Sequence, residues 1–75
     1  MIFRELQTVV LERDIPEHGL RKGDLGAVVQ VHESGDLEVE FVRGSGYTQA
    51  LVELRPNDVR PARDEDIITV RPPDV

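Results

Sequence analysis

Seventy-five residues with a net charge of -6 and an isoelectric point near 4.7 leave room for one domain built on one core. With no cysteine and only two histidines, His18 and His32, fourteen positions apart, neither a disulfide framework nor a structural metal site is expected. Fifteen Asp and Glu against nine Lys and Arg argue against nucleic acid as a partner, because phosphate-backbone affinity comes largely from basic groups displacing counterions.

The opening MIFRELQTVV is interrupted by Arg4 and Glu5, so it lacks a secretory apolar region, and no run in the chain is long enough to span a membrane. A cytoplasmic location is the expectation. Thr8 to Arg13, β-branched and apolar, predicts a first strand. Asp14-Ile15-Pro16-Glu17-His18-Gly19 then supplies turn formers, with Pro16 unable to donate to a ladder, and predicts a long loop. Leu25 to Val31 is the strongest strand signal. Leu25, Ala27, Val29 and Val31 share one face and Gly26, Val28, Gln30 and His32 the other; neither face is fully polar, so the strand is expected to be central. Leu25, Val29 and Val31 are expected to join the core.

Glu33-Ser34-Gly35-Asp36 predicts a hairpin turn, after which Leu37, Val39 and Phe41 alternate with Glu38 and Glu40, the apolar set inward and the glutamates toward water. Arg43-Gly44-Ser45-Gly46 predicts a second turn and Tyr47 to Leu54 a fourth strand, with Thr48, Ala50, Val52 and Leu54 inward and Tyr47 and Leu51 near the surface. Arg55-Pro56-Asn57-Asp58 reads as a single helical turn and Val59-Arg60-Pro61 as a very short last strand. Asp64-Glu65-Asp66 suits another turn before Ile67 to Arg71, and residues 72–75 are expected to fray. No segment sustains a period near 3.6 residues. Short strands separated by turns must curl to hide their edges, which predicts an all-β fold over residues 1–75: a small, partly open antiparallel barrel of about five strands with a short helical turn, with a short-stranded sandwich as the alternative.

This order of signals resembles the SH3-like barrels, and Gly23, Gly26 and Val28 to Val31 are similar to the glycine-and-valine start of the KOW motif in ribosomal and transcription-factor barrels. Over residues 5 to 71 the chain is more similar still to a family of short bacterial proteins classed as a domain of unknown function. The resemblance rests on "ELQTVVLERDIPEHGLRKGDLGAVV", a later "VEF", "DVRP" and "DIITVR". It implies an SH3-like fold, supplies no catalytic residue, and points to relatives that accompany toxin-like genes in bacterial operons.

The densest polar segment is DIPEHGLRKGD. In an SH3-like barrel it corresponds to the long loop that lines a ligand groove, with Glu17 and His18 as contacts. As pure structure, Pro16 restricts the loop, Gly19 and Gly23 turn it, Leu20 packs inward and Asp24 bonds nearby amides. Glu38 and Glu40 share a strand face with no nucleophile or oxyanion donor beside them, and no phosphate-binding glycine loop occurs. No enzyme and no cofactor are therefore expected. Phe3, Phe41 and Tyr47 are the only aromatics, too few for a base-stacking platform or a proline-binding groove. Protein binding survives best: Asp36, Glu38 and Glu40 would make an acidic face beside the apolar anchors Tyr47 and Leu51. The expected partner is a basic, toxin-like protein, which would make the chain an antitoxin or immunity-like module, monomeric or weakly dimeric. The alternative is a KOW-like module that binds nucleic acid.

Overall fold

Phe41 decides how the sheet is built, because its ring needs a place where the neighbouring strand carries no side chain. In the computed structural model, which describes residues 3–74, that place is Gly26. A Cβ at Gly26 would lie 2.6 Å from Val39 Cγ1 and 2.9 Å from Phe41 Cε1, closer than any real side chain sits. The five strands are β1 (Thr8–Leu11), β2 (Leu25–Val31), β3 (Leu37–Val42), β4 (Thr48–Leu54) and β5 (Val59–Pro61). They form one open antiparallel sheet in the order β4-β3-β2-β1-β5, so the fold is all-β and β2 is its central strand, as its two-sided apolar pattern predicts. Leu54 of edge strand β4 and Val59 of edge strand β5 belong to the same buried cluster, with Val9, Leu11, Val28, Leu37, Val39 and Phe41. The sheet therefore curves around a single core.

The facing of β2 differs from the expectation. Gly26 and Val28 point inward, while Leu25 is only half-buried and Val29 is 38% exposed. A bulge between Val28 and Gln30 then reverses the alternation, so that Val31 does pack against the core. The cause is volume: the glycine face is the one that accommodates Phe41 from the adjacent strand.

Strand β3 behaves as its alternation predicts, with Leu37, Val39 and Phe41 buried. In β4, Ala50 and Leu54 are buried and Val52 is partly so, but Thr48 is exposed rather than inward. A second bulge between Phe41 and Val42 turns Thr48 to the outer face, opposite Val42. Strand β1 stops at Leu11, two residues before Arg13, because the ladder to β5 ends at the Leu11–Val59 pair. Arg13 leaves the sheet and meets Asp58 at 3.0 Å. Phe3, which the strand pattern does not single out, closes the core as a buried residue.

The long loop is a clasp. Pro16–His18 forms one 3-10 turn that ends at Gly19 in the left-handed region, φ 70°, and Ile15 and Leu20 bridge its base with both side chains in the core. Asp24 accepts the Arg21 amide at 2.8 Å. Pro56–Asp58 is the second 3-10 turn, with Asp58 accepting the Arg55 amide, and it returns the chain to β1.

Beyond β5 the chain continues as a tail held by ion pairs. Asp66 accepts two bonds from Arg60, at 2.9 and 3.0 Å, and one from the Arg63 amide. Arg71 pairs with Asp24 and Arg21 with Asp74, whose own amide donates to the Gly19 carbonyl. The segment 72–74, expected to fray, is thus tied down at Asp74, while Val75 lies outside the described residues. Ile67 to Val70 forms no strand and stays largely exposed between these anchors.

Two outcomes test this account. Gly26→Ala should destabilise the fold by about 1–3 kcal/mol through overpacking, and Phe41→Leu in the same chain should recover part of that loss. Urea denaturation of the four variants checks it, and additive losses would refute the contact. The Arg60 guanidinium, helped by the Arg63 amide, depresses the Asp66 carboxyl from the ordinary 3.8 to about 2. A depressed carboxylate contributes stability that is present above its unfolded value and lost as pH falls through the folded one. Tail anchoring at Asp66 should therefore persist down to about pH 4 and disappear toward 2, with the Asp66 carboxyl titrating near 2 by NMR; a midpoint near 4 would contradict the pairing.

Candidate functional site

The outer face of β2, β3 and β4 collects most of the polar residues that the sequence singles out. Alternation along β3 turns Glu38 and Glu40 outward, and the β4 register sets Glu53 opposite Glu38, Leu51 opposite Glu40 and Thr48 opposite Val42. From β2, Gln30 lies beside Glu38 and Ala27 beside Glu40. The result is a row of carboxylates with aliphatic residues set into it.

Each glutamate has a different neighbour. Thr48 donates its hydroxyl to Glu40 at 2.6 Å, a use of Thr48 that follows from the bulge beside it. Glu38 meets His32 Nε2 at 2.9 Å. His32 stands at the start of the 33–36 turn, where its amide donates to the Asp36 carbonyl. Its imidazole pKa is raised by the hydrogen bond to Glu38, against some loss of hydration, and further by the charges of Glu38, Glu53 and Asp36. Glu38 and Glu53 face each other directly, which is repulsive between like charges. The ligating atoms of His32, Glu38 and Glu53 all lie within 4.8 Å of one another.

Leu51 is 57% exposed and Tyr47 67% exposed, in keeping with their expected surface positions, and Val42 is exposed between them. The Arg43 guanidinium lies 5.2 Å over the Tyr47 ring and donates to Gln49 at 2.7 Å. Tyr47 is therefore a braced aromatic at the far end of the face from His32.

The structure divides the candidate residues into two groups. Asp36, Glu38, Glu40, Leu51 and Tyr47 belong to the outer face and its two turns, whereas Glu17 and His18 project from the 3-10 turn of the long loop. That loop touches the start of β4 through Gln49, which donates to the His18 carbonyl at 3.0 Å. His32 and Glu53 are the residues that sequence reasoning does not bring to the site. Testing the histidines against each other overlooks His32 against glutamates on neighbouring strands, and the Glu38–Glu53 pairing depends on a bulge that no turn motif announces.

A cavity of about 890 Å³ lies at the opposite end of the strands, beneath the tail, lined by Val10, Leu20, Leu25, Val42, Ile68 and Arg71 among others. Of its charged groups, Arg60 pairs with Asp66 and Arg71 with Asp24, while Arg43 lies over Tyr47.

The model of the DUF4926 family, a domain of unknown function, matches residues 5–61, well over half of the chain. No curated protein and no solved structure matches.

Relief of the Glu38–Glu53 repulsion should be measurable. Glu53→Lys should stabilise the fold by a few tenths of a kcal/mol in chelator-containing buffer, with the gain shrinking at high salt. Chemical denaturation at two ionic strengths checks this, and a loss of stability would contradict the register.

Proposed function

We propose that this chain, which belongs to the DUF4926 family, is a non-catalytic protein-interaction module whose acidic sheet face docks a basic partner. The observation that carries this reading is the placement of Glu38, Glu40 and Glu53 on one ordered face with Leu51 exposed among them. An interface of this kind uses an apolar anchor for affinity and a charged surround for orientation and rapid encounter. The net charge of -6 extends the attraction beyond contact distance. An antitoxin or immunity-like role in a bacterial cytoplasm, covering a basic toxin-like protein, is the specific form of this proposal. The return of β5 to β1 after the Pro56–Asp58 turn supports the SH3-like reading of the fold.

The alternative, a KOW-like nucleic-acid-binding module, needs free cations. Five of the nine cations are engaged, Arg13, Arg21, Arg60 and Arg71 each with an aspartate and Arg43 over Tyr47, and fifteen acidic residues surround the rest, which favours the protein partner.

Glu38→Lys combined with Glu40→Lys should weaken binding to the partner co-purified from the native cell by about tenfold or more, mainly through slower association. Wild-type affinity should also fall between about 50 and about 300 mM salt. Equal binding by the double reversal would defeat the acidic-face mechanism, and a salt-dependent gel shift with RNA or DNA would favour the alternative.

A further inference from the structure

We infer that His32, Glu38 and Glu53 form a binding site for a divalent first-row transition-metal ion of the zinc class. His32 directly follows β2 and is held by its amide bond to the Asp36 carbonyl, while Glu38 and Glu53 sit opposite each other at the start of β3 and the end of β4, so the backbones are fixed and the side chains converge outward. Their ligating atoms lie within 4.8 Å of one another, and the His32 Nε2 to Glu38 Oε2 separation is 2.9 Å. Ligands about 2.0–2.2 Å from a zinc ion stand roughly 3–3.5 Å apart, so convergence by a small side-chain rotation at Glu53 completes the set.

The donor chemistry selects the metal. One imidazole with two carboxylates suits zinc and its neighbours, whereas magnesium and calcium prefer oxygen throughout. Charge balance points the same way. Glu38 and Glu53 are set directly opposite each other at an energetic cost, which a divalent ion between them would relieve. The side chains of His32 and Glu38 are 33% and 25% exposed, sheltered enough to strengthen coordination yet open to an arriving ion. Three protein ligands leave at least one coordination position toward solvent. This site does not depend on the interaction reading, since it concerns the metal alone.

The test is titration of the purified full chain with zinc chloride at about pH 7, followed by calorimetry and by NMR of the two imidazole rings. One equivalent should bind, and the His32 ring resonances should move while those of His18 stay in place. Glu53→Gln, an exposed substitution that leaves the core intact, should weaken binding about tenfold or more, and His32→Gln should abolish it. Asp64→Asn, on the tail, should bind as wild type does. Magnesium and calcium at the same concentrations should move neither ring. No heat and no His32 shift up to about 1 mM zinc would overturn the site, as would unchanged zinc affinity in folded His32→Gln and Glu53→Gln chains.

Discussion

The contact of Phe41 with the bare backbone of Gly26 is the constraint from which the sheet takes its form. A large ring on β3 requires a missing side chain on β2, and that requirement fixes which face of the central strand is internal. Once Gly26 faces inward, Val28 follows two residues later, and Val29 is left outside. The strand then needs an extra residue to return Val31 to the core, and the bulge beside Val29 supplies it. On the other side of β3, the bulge next to Phe41 adjusts β4 so that Ala50, the smallest inward side chain of that strand, pairs with the ring. Glycine on one flank and alanine on the other leave room for the Phe41 ring between them.

These volume relations explain what the sequence discloses and what it withholds. The elements and their order are legible because turn residues and alternation are local: Glu33 to Asp36, Arg43 to Gly46 and Arg55 to Asp58 all turn the chain where their composition says they should. The inward set Leu37, Val39 and Phe41 is legible for the same reason. The facings of Leu25, Val29 and Thr48 are not, since each depends on how a neighbouring strand fills space. The same division holds at the outer face. Glu38 and Glu40 announce themselves by alternation, but Glu53 joins them only through a register that a bulge has shifted. Without that extra residue the count from the turn would set Glu38 against Val52, and a carboxylate would share its face with a core residue.

Charge is distributed with the same economy. Among the described residues the core contains no charged side chain, and arginine–aspartate pairs gather around the loop, the second 3-10 turn and the tail. Those pairs hold four of the nine cations locally. Glu38, Glu40 and Glu53 stand instead on strands, on a surface whose geometry is set by backbone hydrogen bonds rather than by flexible connections. A face of this kind holds its pattern of charge without having to be ordered on binding.

The tail offers a different lesson. The stretch that matches the DUF4926 family ends at residue 61, the last residue of β5, and one more backbone bond, from the Ala62 amide to the Thr8 carbonyl, completes the sheet. Past Ala62, attachment passes from hydrophobic burial to ionic side-chain contacts at Asp66, Arg71 and Asp74, with a backbone bond from Asp74 to Gly19. Ionic attachment is screened by salt, whereas apolar burial is not. The molecule thus joins two mechanical regimes in one short chain: a frame held by apolar burial and strand pairing, and a strap whose grip is set by the ionic strength around it.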